Sequence, residues 1–471
     1  MPPATGCARS TLGCDPAACR EVARHALTRP GACTCIGTVN VAFRGTVRPI
    51  KDCICLRWEA WTVLALWDNS DFRCLWLGQL ASVLGTWLLV VAVPLHVYDR
   101  TGSTAATGAT FIAETFPALV LGPAAGVLVD RHDRVRVMIW ADLVRAAAVL
   151  SMLLACAGGA LWVLFLAILI ENSAAQLFRP ARQALIPAIV APRQNLADAN
   201  AMFAMIDGIV RMVGSVLGGL LYLTIGFQWL VVLNAASYLV SVLACHRVRH
   251  HQAPPRPVAR AGLADGLAEL RTGLHHVLTI GPLRRLLRVT AVFYLSNGAV
   301  TALLVPYARS VLRVGAESFG YLLAALGVGY VVGTLVARSV IERLSAERAV
   351  LASVALLGAA YLLAFQSVSY PATLAGFATA GAPAVVLLVA VPTEYQRRTP
   401  NPLLGRVAAA FLTVEMAVSV TGAAVGSLLA PRIGVVPVID VALLALATLG
   451  LTLPRRPLRW RLLTPWVRAE E

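Results

Sequence analysis

The chain has 471 residues, of which 58% are hydrophobic and only 14% charged. Soluble domains carry nearer a quarter charged residues, so the composition excludes a soluble enzyme and describes a chain that crosses a membrane repeatedly. The formal net charge of +16 is nearly all arginine, with a single lysine, Lys51; these arginines fall between apolar runs, where they orient helices and meet anionic headgroups rather than nucleic acid.

Residues 1–65 differ from the rest. Cys7, Cys14, Cys19, Cys33, Cys35, Cys53 and Cys55 lie here. Zinc modules use ligand pairs spaced C-x2–4-C, and Cys33–Cys35 and Cys53–Cys55 are one residue too tight. No apolar signal-peptide core follows a basic start. The segment is expected to be a disordered extension from an over-long start, with the natural start near Val63; a redox or metal-binding tail is the alternative.

The first span is expected over 74–97. Gly78, Ser82 and Gly85 share one helical face, small enough for a second helix to approach closely, and Gln79 must face the bundle interior. The entrance, FRCLWLGQLASVLG, resembles that of macrolide-efflux and enterobactin-exporter-like members of the major facilitator superfamily. The second span, 106–129, contains Glu114, and an acid within a span is a functional candidate by default; Pro117 and Pro123 imply bends. It runs into GVLVDRHDRVRV, residues 126–137, a tight charged turn at a membrane–water boundary. With Gly126, Asp130, Arg131 and Arg134 at their spacing, this stretch resembles the loop between the second and third helices of the same superfamily.

In the third span Asp142 and Arg145 stand at i and i+3, able to pair on one face. The resemblance implies that they belong to a charge relay that locks the loop against the fourth and eleventh spans, a gate latch, with proton carriage as the alternative. The fourth span holds Glu171 and Asn172 in an otherwise apolar run; where many superfamily antiporters carry an arginine, this one has Glu171. The fifth, 197–223, reads NAMFAMIDGIVRMVGSVLGGLL. It resembles an antiporter pattern in which an arginine precedes a glycine-rich run, here Arg211 before Gly214, Gly218 and Gly219, with Ser215 in place of the usual proline. Asp207 and Arg211, at i and i+4, are expected to neutralise one another or face water.

After a sixth span, 229–245, the segment 246–285 is read as a cytoplasmic linker that opens with a basic, proline-rich joint. The joint is followed by an amphipathic helix with Leu263, Leu267, Leu270, Leu274 and Leu278 on its apolar face, lying on the membrane surface. The second half, 286–454, repeats the plan with spans near 286–308, 317–340, 348–368, 371–392, 404–430 and 434–453. Asn297 and Glu415 are cavity candidates. GTLVARSVIERL echoes the 126–137 loop, which supports two related six-helix halves, 66–245 and 286–454. Residues 455–471 form a basic tail.

Arginines concentrate in alternate loops, eight of them within 247–288 and five beyond 454, against Arg100, Arg309, Arg313 and Arg432 in the others. That bias puts both termini on the cytoplasmic side of the cell membrane with an even number of spans, twelve, in an all-α polytopic fold. No G-x4-G-K-[ST], H-E-x-x-H or G-x-S-x-G motif is present, so neither ATP binding nor catalysis is indicated. The chain is expected to be no enzyme, to need no cofactor or metal, and to act as a monomer. The resemblance, over about 66–455, implies export of a small amphipathic molecule (drug, macrolide or siderophore) by alternating access. An ion gradient must drive it, with Glu114, Asp142, Glu171 and Asp207 as proton-coupling candidates, since a carboxylate desolvated on closure holds its proton more tightly. A lipid flippase, an importer of the same fold and a non-transporting sensor are the rivals.

Overall fold

The computed structural model describes residues 66–129, 132–158, 160–190, 196–249 and 263–452. The N-terminal extension, Asp130 and Arg131 of the loop motif, the proline-rich joint and the basic tail lie outside them.

Asn69 begins the first helix. Its Oδ1 accepts from the main-chain N–H groups of Asp71 and Phe72 at 3.0 and 3.1 Å, a side-chain N-cap, while its Nδ2 donates 2.8 Å to the carbonyl of Ile189. Helix α1 (Ser70–Thr101) ends at Gly102, whose φ of 61° suits a left-handed cap. There follow α2 (Thr104–Val129), α3 (Arg134–Gly158), α4 (Leu161–Ile189), α5 (Leu196–Thr224) and α6 (Gly226–Arg247). The amphipathic α7 (Leu263–Thr279) leads to α8 (Gly281–Pro306), a π-helical turn (Tyr307–Val311), α9 (Ala316–Leu344) and α10 (Ala346–Gln366). Then come α11 (Tyr370–Arg398), a 3-10 turn (Asn401–Leu403), α12 (Leu404–Ile433) and α13 (Val435–Thr452). The described residues are helical, without strands, and eleven helices are long and apolar enough to cross a membrane; Val435–Thr448 is a shorter apolar helix.

The packing follows from small residues. α1 lies against α5 and α6, α3 against α4 and α6, and α2 against α4. Likewise α8 lies against α12 and α13, α10 against α11 and α13, and α9 against α11, while α5 meets α9 and α2 meets α12. A Cβ on Gly85 would collide with Ser237 and Asn234 of α6, so the predicted Gly78–Ser82–Gly85 face is the α1–α6 seam. Where α5 meets α9, a Cβ on Gly320 would lie 2.6 Å from the carbonyl of Ser215, and one on Gly219 would strike the main chain of Ala316. The outer surface is apolar: Leu335 is 77% exposed and Leu363 74%, an arrangement water would penalise and lipid accepts.

The amphipathic helix differs from expectation. Val277 is buried, Gly273 meets the main chain of Arg406, and Leu278 is exposed, so the helix docks on the start of α12 rather than only lying on a bilayer. The docking face runs through Gly273, Leu274 and Val277, because a glycine at 273 is what lets the α12 backbone approach.

Candidate transport site

Between α1, α3, α4 and α6 lies a buried polar network. Arg145 donates 2.9 Å to Asp142 Oδ1, 2.9 Å to the Tyr238 hydroxyl and 3.3 Å to Thr86 Oγ1. Tyr238 in turn donates to Glu171, and its hydroxyl lies 3.0 Å from Thr86 Oγ1 and 3.4 Å from Asn234 Nδ2. The guanidinium carbon of Arg145 sits 4.0 Å from the Tyr238 ring centroid, a cation–π contact that adds to the ion pair. Asp142, Arg145, Glu171 and Tyr238 are all at most 9% exposed, so a polar group in this cluster has no water to fall back on. The site is held by geometry: the one-turn spacing aims Asp142 and Arg145 the same way, and α6 closes on α1 across the glycine seam to deliver Tyr238.

The expected i, i+3 pair is therefore present; Asp130 and Arg131, the loop residues it was expected to help lock, lie outside the described residues. Arg145 also donates to α1 and α6 through Nη2, while its buried Nε has no partner among the described residues; its side chain starts three turns into α3, away from that helix's first residues. Arg134, at the start of α3, instead donates 2.7 Å to the carbonyl of Ala184 on α4.

The Asp207–Arg211 pairing is not made. Asp207 is exposed on α5, and the Arg211 guanidinium carbon lies 5.0 Å from the Trp87 centroid and 5.3 Å from that of Tyr330. Two aromatic faces hold the cation where a carboxylate one turn away was expected. Gly214 backs onto Trp87 Cβ and Gly218 onto Leu88, so the predicted α5 stripe receives α1, while Gly219 receives the start of α9.

The other predicted residues are dispersed. Glu114 is half-buried just before the middle of α2, and Gly126 lies in the last turn of that helix. Gln79 is buried with Oε1 unpartnered, and Asn172 donates 3.0 Å to the carbonyl of Ile168 on its own helix. Asn297 is half-buried on α8. Glu415 lines a cavity of about 340 Å³ with Thr290, Tyr294, Tyr395 and Phe411. Beyond these, Asp99 pairs with Arg309 at 2.8 Å and accepts from the Tyr222 hydroxyl at 3.0 Å, joining α1, α5 and the π turn at one end of the bundle. At the opposite end Glu347 pairs with Arg285 at 2.9 Å and approaches Arg398 at 3.6 Å. Sequence reasoning passed over Tyr238, Trp87 and Tyr330, since an aromatic at helical spacing reads as core; a tyrosine within an otherwise polar face of α6 (Asn234, Ser237, Ser241) is the signal that was available.

An all-helical bundle with most of its helices long enough to span, sealed by glycine seams and holding a dry charge network, defines a membrane transporter. A family model described as transmembrane secretion effector matches residues 61–461, and the chain belongs to that family of the major facilitator superfamily, whose members are transporters and not enzymes. It is 28% identical over 221 residues to macrolide efflux protein A of Streptococcus pyogenes, covering 45% of this chain and 54% of that protein. It is 26% identical over 375 residues to the enterobactin exporter EntS of Shigella flexneri, covering 78% of this chain and 85% of that one. The chain thus spans about half the length of the macrolide protein. A bacterial homologue of the iron transporter ferroportin, in an inward-facing state, shares the fold with a TM-score of 0.64 at 16% identity, over 81% of this chain and 98% of that one.

Proposed function

We propose that the protein exports a small amphipathic molecule of the drug, macrolide or siderophore class by alternating access, in exchange for protons. The observation that carries the coupling is the Glu171–Tyr238–Arg145–Asp142 network, in which two acids share one arginine through a hydroxyl that can both donate and accept. Protonating one acid weakens its hold on the shared network and so alters what ties α3, α4 and α6 together. That is the differential contact a coupled transporter needs. Glu114 on α2 is the group through which protons reach Glu171, and Glu415 belongs to the cargo cavity.

In this reading α13 is the twelfth span, and α1–α6 and α8–α13 form two six-helix halves that rock about the α2–α12 and α5–α9 seams. The halves take residues 66–245 and 286–454, with 246–285 as linker. Both termini face the cytoplasm, the protein resides in the cell membrane as a monomer, and lipids bathe its apolar surface. The Asp99–Arg309–Tyr222 cluster then closes the outer end, so the conformation is inward-facing.

The test is reconstitution in liposomes that hold a pH-sensitive dye, with a panel of macrolides, dyes and siderophores added under an imposed gradient. Substrate-dependent proton flux that is lost in Glu171→Gln supports antiport through the network. Undiminished flux in that variant sinks the coupling assignment. Movement of labelled lipid with no response to the panel would make the protein a flippase instead.

A further inference from the structure

Arg211 lies close to the middle of α5, far from either end of the helix. A cation at such depth is expensive unless it faces a polar cavity or a partner, and no carboxylate of the described residues stands within ion-pair distance of it. Its contacts are two rings: Trp87 of α1 at 5.0 Å and Tyr330 of α9 at 5.3 Å from its guanidinium carbon. A guanidinium is flat, with five N–H donors pointing outward in its plane. Aromatic rings engage its charge yet accept none of those hydrogen bonds in the manner of an oxyanion. The clamp is rigidly built. Gly214, one turn on, lets Trp87 approach so closely that a Cβ there would lie 2.8 Å from Trp87 Cβ, and Gly327 backs onto Met212, which brings the α9 turn holding Tyr330 alongside. Trp87 and Tyr330 come from helices that each pack against α5, so the arginine sits on the seam where α5 packs against α9.

We propose that Arg211 is the cargo-recognition residue for an oxyanion: the transported molecule carries a carboxylate or an equivalent acidic oxygen group that takes the in-plane N–H fork left unused by Trp87 and Tyr330. This rests on the export reading and narrows its substrate class to amphipathic acids. The side chain supplies a fixed charge and a bidentate geometry, which a lysine would not reproduce. The two rings hold the guanidinium in one orientation, so less freedom is lost when the anion binds. Glu415, in the cavity beside Tyr294, is the group that would receive a cation instead, so probes of opposite charge separate the two polarities.

The test uses the full-length protein purified in neutral detergent and three probes of one shape: 2-naphthoate, its methyl ester, and 2-naphthylmethylamine. Binding is read by titration and by thermal shift. The acid is expected to bind at least about tenfold more tightly than the ester, in keeping with a charge-assisted, bidentate contact. Arg211→Met abolishes that preference, and Arg211→Lys keeps only part of it. Equal binding of acid and ester to the wild type overturns the assignment whether or not the variants fold, as do tighter binding of the amine and a failure of the acid to bind. An acid preference that survives in a folded Arg211→Met overturns it as well. Displacement of bound naphthoate by phosphatidylglycerol would assign the guanidinium to a lipid headgroup and remove the small solute. Binding that depends on Arg211 without transport in liposomes would instead count against export and leave the site standing.

Discussion

Tyr238 joins what the charges of α3 and α4 cannot join alone. Its hydroxyl accepts from Arg145 and donates to Glu171, two residues on different helices. Tyr238→Phe keeps the ring over the guanidinium and removes only the oxygen, which leaves buried polar groups unsatisfied at a cost of about 1–3 kcal/mol. The expected outcome is a lower melting temperature in detergent together with loss of proton coupling; an unchanged melting temperature would show that Glu171 and Arg145 find each other without the phenol. The Asp142–Arg145 pair allows a sharper test. Removing one partner of a buried ion pair typically costs about 3–5 kcal/mol, because the survivor is left charged and unpaired. Arg145→Met should therefore destabilise strongly, and Arg145→Met with Asp142→Asn should recover part of the loss in a double-mutant cycle read by thermal unfolding. Additive losses would mean that the two side chains do not depend on each other. That pair was legible in the sequence because it is local, one helical turn apart. Its third member was not, since Tyr238 is 93 residues away from Arg145 and looks like any aromatic on an apolar helix. Asp207 and Arg211 show the opposite failure: spacing permits a pair, but two rings from α1 and α9 outcompete the neighbouring carboxylate.

Helix contacts here are decided by where a side chain is missing. Gly85 would drive a Cβ into Ser237 and Asn234, whereas a Cβ on Gly122 would meet nothing within 4 Å. Gly85→Leu is accordingly expected to part α1 from α6, lower the melting temperature and strip Tyr238 from Arg145, while Gly122→Leu at the same glycine-for-leucine exchange leaves stability unchanged. Equal behaviour of the two variants would refute glycine-seam packing as the cause. The stripe itself, Gly78, Ser82 and Gly85, could be read from its period alone, since small residues on one face mean a close neighbour. Which helix that neighbour is could not, because periodicity describes one helix at a time. The same limit explains α7. Its leucine period announces an amphipathic helix, and the lipid surface is the default partner for such a face. The protein offers a better one at the start of α12, reached through Gly273, and the buried face turns toward Val277 to meet it.

At the scale of the whole molecule, one end of the bundle is tied and the other is tied differently. The end holding the α1–α2 and α8–α9 connections carries the Asp99–Arg309 pair and the Tyr222 hydroxyl, and the Thr104 hydroxyl reaches the Ser427 carbonyl at 3.3 Å across the α2–α12 contact. The opposite end has its own pairs, Glu347 with Arg285 and Arg398, but all three belong to α8, α10 and α11, and so hold one group of helices together rather than two. Repeated apolar spans announced a polytopic chain; the asymmetry between its ends is a matter of side chains meeting across more than two hundred residues, 210 for Asp99 and Arg309, and no local pattern encodes it. Alternating access requires that the tied end come apart once per cycle. Thr104→Cys with Ser427→Cys places two thiols at that seam, and oxidation should join them in the conformation described here. Transport is then expected to stop on oxidation and return with reductant, with each single-cysteine variant unaffected, as followed by substrate flux in liposomes. A cross-linked protein that still transports would mean that this end stays shut throughout, and that the α2–α12 contact is a fixed hinge rather than a gate.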